Sequence, residues 1–186
     1  MKLQLEHIQG YLAHGLKVKN LNPYNDYSGG KEILTVNGTY YLYPKDEEPI
    51  LFMSFNEHPS GKSCDSCTPI IRKLDLTKPI LKNGIIPAIE VAKFMDNGHN
   101  HTDSKVRIYS GVLIISTNKC DDVHDVRISF SNNIIYSIKM DGNDAMFETS
   151  KRIRNWLYAN KFDVDGLIDA GLSVDADTLE INPYNT

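Results

Sequence analysis

The chain has 186 residues, 41% of them hydrophobic and 24% charged, with a formal net charge of −4. A domain of that size buries roughly 70% of its extended-chain surface and needs no disulfide or metal staples. Its acidic balance gives no global pull toward nucleic acid or an anionic membrane.

The opening Met1-Lys2-Leu3-Gln4-Leu5-Glu6-His7 lacks the apolar centre of a signal peptide. No apolar run approaches the roughly 18 residues of a membrane span. Three cysteines, an odd number, do not make a secreted disulfide framework. The expectation is a cytosolic protein that folds as a single α+β domain over residues 1–186, with an antiparallel or mixed sheet and a few short helices mainly on one side.

In chain order, residues 6–13 predict a short helix weakened by Gly10. Leu16 to Lys19 alternates like a half-buried strand. Asn20 to Gly30 is a polar loop. The strongest local signal is Asn37-Gly38 between the apolar runs 32–36 and 39–43, which predicts a type I′ hairpin turn. A charged loop from Pro44 to Pro49 leads to an apolar strand at Ile50–Phe55. Asn56 to Thr68 reads as a loop, and Pro69 to Asp75 as extended chain between two prolines that discourage helix. Pro87 at a first helical position predicts a short helix through Met95. Asp96 to Ser104 is a polar loop. Val106–Ser116, Val126–Ser131 and Ile134–Met140 predict three strands, the last two joined tightly at Asn132-Asn133 as part of an antiparallel meander.

The stretch from Asp141 to Asp175 closes the domain. Asn143 or Asp144 can cap a helix whose buried face collects Ala145, Met146, Thr149, Ile153, Trp156 and Leu157. A second short helix follows through Leu167, Ile168 and Ala170, capped by Asp163 or Asp165 and stopped at Gly171 in a left-handed conformation. After Asp175 the sequence predicts a short, polar, mobile tail.

Three stretches span most of this length: His7-Ile-Gln-Gly-Tyr-Leu-Ala-His-Gly-Leu-Lys-Val18, Thr68-Pro-Ile-Ile-Arg-Lys-Leu-Asp-Leu-Thr77 and Phe162-Asp-Val-Asp-Gly-Leu-Ile-Asp-Ala-Gly-Leu172. In that order they resemble an uncharacterised family of phage and prophage proteins of gut bacteria. The resemblance implies an origin in a phage genome and action in the host cytoplasm. It implies no reaction and carries no site residue with it, and the cysteines are not part of it.

Several partial site signals stand beside plainer readings. Cys64-Asp-Ser-Cys67 with Cys120 and His124 supplies the four ligands that tetrahedral zinc requires; otherwise these are incidental thiols and an unrelated histidine. Gly61-Lys62-Ser63 matches the end of a phosphate-binding loop, but Asn56 stands where that pattern needs glycine. His99, His101 and Asp103 match part of a two-metal hydrolase motif, with Ser104 where its last histidine belongs. On the closing helix, Phe147, Lys151, Arg154 and Tyr158 form a stripe able to hold a phosphate and stack a base, with Lys17, Lys19 or Arg72 able to add charge from the sheet; otherwise it is a boundary face with half-buried rings and solvated cations.

No catalytic constellation is complete, so non-enzymatic binding is expected, with a host protein or a small anionic ligand such as a nucleotide as partner. The sharper forms are a sponge for a nucleotide signal of host defence, a metal-dependent hydrolase, or a virion or assembly component.

Overall fold

The computed structural model describes residues 2–23, 31–43, 50–56, 58–80, 84, 86–95, 105–109, 112–119, 122–131, 134–140, 143–144 and 147–185. The described elements begin with α1 (Leu5–Leu12), β1 (Lys17–Asn20), β2 (Ile33–Leu42), β3 (Ile50–Phe55), β4 (His58–Ser63), a 3₁₀ turn at Cys64–Ser66 and β5 (Cys67–Ile71). Then come α2 (Pro87–Met95), β6 (Lys105–Tyr109), β7 (Val112–Lys119), β8 (Asp122–Ser131), β9 (Ile134–Met140), β10 (Asn143–Asp144), α3 (Phe147–Ala159), β11 (Val174–Asp175) and a 3₁₀ turn at Ala176–Thr178.

These strands make two sheets. The first runs β11-β5-β1-β2-β3-β4 and the second β10-β9-β8-β7-β6. The first is mixed, because β11 joins β5 in parallel while its other pairs are antiparallel. The fold is α+β with a mixed sheet, as expected. The second sheet is an antiparallel meander in which Ser131 pairs with Ile134 across the Asn132-Asn133 connection. Among the described residues no helix is long and apolar enough to cross a membrane.

Each sheet has its own core. Alternation on β1, β2 and β3 sends Val18, Leu34, Val36, Leu51, Met53 and Phe55 inward against Ile8 and Tyr11 of α1. In the second core, Leu113, Ile115 and Ile128 of the meander pack with Val91 of α2 and Ile153 and Leu157 of α3. The Tyr158 ring packs against both cores. It meets Tyr11 edge-on at 4.8 Å between centroids. A Cβ on Gly10 would come within 2.7 Å of it, so glycine in α1 makes room for that ring at a helix-propensity cost of up to about 1 kcal/mol.

The structure corrects several sequence expectations. Asn37-Gly38 is not a hairpin turn. Strand β2 runs straight through it, pairing with β1 at residues 33–35 and with β3 from Val36 onward, with a register shift between Val36 and Gly38. A type I′ turn needs positive φ at both central residues, and neither Asn37 nor Gly38 is among the left-handed residues. The Asn37 carboxamide instead accepts the Ser54 hydroxyl at 2.6 Å across the bulge.

The predicted strand Val106–Ser116 is two strands, β6 and β7, with Tyr109 opposite Val112. The predicted loop Asn56–Thr68 contains β4, which pairs with β3. The second short helix is a single turn. Where the sequence suggested a mobile tail, Ala176 and Pro183 are buried and the Tyr184 hydroxyl donates to the Ile70 carbonyl at 2.7 Å.

A candidate anion-binding cleft

The two sheets meet where β5 leaves the first core. Arg72, just past β5, forms a parallel bridge with Phe162. Its N–H donates to the Lys161 carbonyl at 2.6 Å, and its carbonyl accepts the Asp163 N–H at 2.8 Å. This bridge brings a buried arginine and a buried lysine side by side, exposed only 4% and 6%.

Lys161 is there because of how α3 ends. The Lys161 N–H bonds the Tyr158 carbonyl at 3.0 Å, and the Phe162 N–H reaches the Leu157 carbonyl at 2.9 Å. That pair of bonds is a Schellman stop, whose key residue must be left-handed. Lys161 fills that position with φ +65°. A side chain in this conformation costs about 1–2 kcal/mol, which is why glycine usually occupies it.

The C-terminal segment closes the site. The Tyr184 hydroxyl accepts the Lys17 N–H at 3.0 Å and donates to the Ile70 carbonyl, and Lys17 and Ile70 are paired residues of β1 and β5. The hydroxyl thus bridges the two strands, and its burial raises the phenol's pKa well above the ordinary value. Three cations surround the Tyr184 ring: Lys17 Nζ at 5.9 Å from its centroid, the Arg72 guanidinium at 5.8 Å and Lys161 Nζ at 5.5 Å. Each distance lies within the range of cation–π attraction.

The counter-charge is sparse. Arg72 Nη1 lies 3.6 Å from a carboxylate oxygen of Asp177, which is 58% exposed. Arg72 Nη2 donates to the Asn185 side chain at 2.8 Å. The lysines are held by main-chain carbonyls, Lys17 by Pro183 at 2.9 Å and Lys161 by Ala159 at 2.7 Å. An ammonium has three donors and a guanidinium five, so each cation retains capacity for a further acceptor. Burial, then Arg72, then Lys17 lower the Lys161 pKa to about 8.

Two clefts open on this cluster. One, of about 220 Å³, is walled by Arg72, Ile80, Ala159, Asn160, Lys161 and Tyr184. The other, of about 520 Å³, shares Arg72 and Ile80, has an apolar floor that includes Leu76, Leu113 and Phe162, and carries Asp75, Asp175 and Asp177 among its polar lining. Burial alone would raise the Asp75 pKa, but bonds from the Thr77 hydroxyl and N–H and the nearby Lys78 hold it below the usual value.

The residues singled out from sequence lie elsewhere. On α3, Lys151 is exposed and Arg154 half-buried. Tyr158 turns inward, and its hydroxyl donates to Asp165 at 3.1 Å. Burial and Asp165 push its pKa up to about 12. The side chain of Phe147 lies outside the described residues.

Of the proposed zinc ligands, Cys67 is buried at 3% exposure in the first core. Cys64 opens the 3₁₀ turn and His124 lies on β8, opposite Thr117. Their side chains, and all of Cys120, lie outside the described residues. Among the described residues no group of three or more metal-ligating side chains gathers.

Lys62 and Ser63 belong to β4, paired with Met53 and Phe52, so this segment is an edge strand rather than a phosphate loop. His99, His101 and Asp103 lie outside the described residues.

Sequence reasoning named Lys17 and Arg72 only as helpers to the α3 stripe and missed Tyr184. The available signal was Lys161, a cation two residues past the end of α3 at the left-handed position that glycine usually fills. No protein-family model, curated protein or solved structure matches this chain.

Proposed function

We propose that this protein is a non-enzymatic binder of a small anionic ligand, held at Arg72 and Lys161. The observation that carries the reading is the convergence of Arg72, Lys161 and Lys17 on one ring, with a mostly exposed carboxylate, the Asn185 carboxamide and main-chain carbonyls as their partners. Desolvated cations with spare donors are costly without an anion and strengthen each hydrogen bond to one. A left-handed, buried lysine adds local strain, which persists where a function needs it. In the phage setting implied by the sequence resemblance, such a binder acts as an accessory protein in the host cytoplasm. A sponge that sequesters a nucleotide signal of host defence is the sharper form of that role.

The test is calorimetric titration with inorganic phosphate and with nucleotides, each recovered afterwards for chromatography. The expected outcome is saturable binding in a fixed ratio with the ligand returned unchanged. Arg72→Gln and Lys161→Gly should each weaken binding by about 1.5–3 kcal/mol, with thermal melting confirming that the variants fold. Affinity should fall as the pH rises through about 8, where Lys161 loses its proton. Absence of heat with every anion would remove the reading, and recovery of a hydrolysed product would replace it with catalysis.

A further inference from the structure

The Lys161 amine sits where a lysine becomes a nucleophile. It lines the smaller cleft, of about 220 Å³, whose wall also includes Arg72, Ile80 and Ala159. Cations reach it from two other segments, Lys17 of β1 and Arg72 beyond β5, and the Tyr184 ring of the C-terminal segment lies among all three. An amine desolvated beside other cations gives up its proton more readily, and only the unprotonated form attacks carbon. With a pKa of about 8, roughly one Lys161 in ten is unprotonated at pH 7, against about one in three thousand for an ordinary lysine.

The surroundings also favour a negative product at this nitrogen. A positive Lys161 is repelled by Lys17 and Arg72, whereas a negative group there is attracted by both. The carboxylate paired with Arg72 is the mostly exposed Asp177, so the cluster carries an excess of positive charge. Lys161 Nζ donates to the Ala159 carbonyl at 2.7 Å. A carbamate nitrogen keeps one N–H, so that bond survives the reaction. The carbamate oxygens can take donors that Arg72 retains beyond Asn185 and Asp177. The addition is one carbon and two oxygens, small enough for a side chain exposed by only 6%. Carbon dioxide is uncharged, so the apolar Ile80 and Ala159 do not bar its entry.

We propose that Lys161 is a carbamylation site, at which the cation cluster captures carbon dioxide reversibly. The nitrogen lone pair forms a bond to the carbon of carbon dioxide. One C=O π pair moves onto oxygen, and a proton leaves the nitrogen for water. An amine and carbon dioxide thus give a carbamate and a proton, with no oxidant or reductant. The carbamate and an external anion draw on the same Arg72 donors and exclude each other. Carbamylation itself needs no external anion, so it stands whether or not one binds.

The test is carbon NMR of the full chain equilibrated with isotope-labelled bicarbonate. The carbamate is then fixed with an alkyl oxonium reagent and located by peptide mass. Wild-type protein should carry the label on Lys161, and the resonance should vanish in Lys161→Gly. At fixed dissolved carbon dioxide, its intensity should rise as the pH passes through about 8. Lys17→Gln should reduce the occupancy severalfold, as should Arg72→Gln where thermal melting shows a folded protein. No carbamate resonance in wild type would overturn the proposal. So would label confined to other amines, a rise delayed to about pH 10.5 as for an ordinary lysine, or unchanged occupancy in either folded charge variant.

Discussion

The chain makes the same helical stop twice, ten residues apart, and fills its left-handed position differently each time. After α3, Lys161 bonds Tyr158 and Phe162 bonds Leu157. After the single turn at 166–170, Gly171 bonds Ile168 at 3.0 Å and Leu172 bonds Leu167 at 2.9 Å. The dihedrals nearly coincide, φ +65° at Lys161 and +71° at Gly171. Glycine occupies that region freely, and lysine does not.

The backbone therefore needs glycine at both positions and has it at one. Gly171 is exposed and faces open space, so its place is explained by conformation. Lys161 is buried, its ammonium donating to the Ala159 carbonyl and lying over the Tyr184 ring. On the proposed anion-binding reading, the difference separates a residue that serves the fold from one retained for its charge.

The largest effect should come from the start of the second stop. Asp163 is fully buried, and its two carboxylate oxygens accept the N–H groups of Leu167 and Ile168, each at 2.8 Å. Removing them leaves one buried and one part-buried donor without that partner. Asp163→Ala should cost roughly 2–4 kcal/mol, read as a lower urea midpoint at unchanged slope. A cost under about 0.5 kcal/mol would mean that water replaces the cap, and the second stop would no longer serve as a rigid reference.

The two stops themselves should respond with opposite signs. Gly171→Ala adds a Cβ that meets nothing within 4 Å, so only the backbone penalty remains, about 1 kcal/mol of destabilisation. Lys161→Gly should stabilise by about 1 kcal/mol, less what is lost with the bond to Ala159.

The gain at Lys161 should also depend on pH. The folded-state pKa is lowered to about 8 from the ordinary lysine value of 10.5. Below about pH 8 the lysine is charged in both states, and the folded state bears the full cost of burying it. Between 8 and 10.5 the unfolded state binds more protons, so wild-type stability rises with pH. The advantage of Lys161→Gly should therefore shrink across that window, as paired urea titrations at about pH 7 and pH 10 would show. A variant less stable than wild type at both pH values would make Lys161 a staple for the C-terminal segment rather than a retained cation.

The sequence made the elements legible where one residue's chemistry decides the structure locally. Pro87 opens α2, Gly171 stops a turn, and the apolar run Ile50–Phe55 is strand β3 as read. It misled where tertiary pairing overrides local preference. Asn37-Gly38 is the strongest short hairpin signal in the chain, yet β1 and β3 recruit opposite ends of one continuous strand and spread the dipeptide into a bulge. The site was hidden for a related reason. Lys17, Arg72, Lys161 and Tyr184 are far apart in sequence and lie on four different segments, so no motif spacing joins them. Only the Arg72–Phe162 bridge and the docking of Tyr184 bring them together.

The smallest expected effect separates this cleft from the α3 stripe. Lys151 and Arg154 sit on the same helix as the stop but reach another surface. Lys151 is exposed, and Arg154 stands in the field of Asp165, whose pKa burial raises and Arg154 lowers. Tyr158, which would complete a stacking platform, is committed to Tyr11 and Asp165. The double variant Lys151→Ala plus Arg154→Ala removes two cations without opening the core. The exposed Lys151 site should change stability by about 0.5 kcal/mol or less, as for ordinary surface substitutions, and the half-buried Arg154 site by more, because its charge acts on Asp165. Phosphate and nucleotide affinities should stay within about twofold of wild type, since the remaining cations keep their geometry and distant charges are screened by salt. A tenfold loss of affinity in a normally melting double variant would move the ligand from the cleft to the helix face. Lys161 would then be an unexplained exception to the glycine rule that Gly171 obeys.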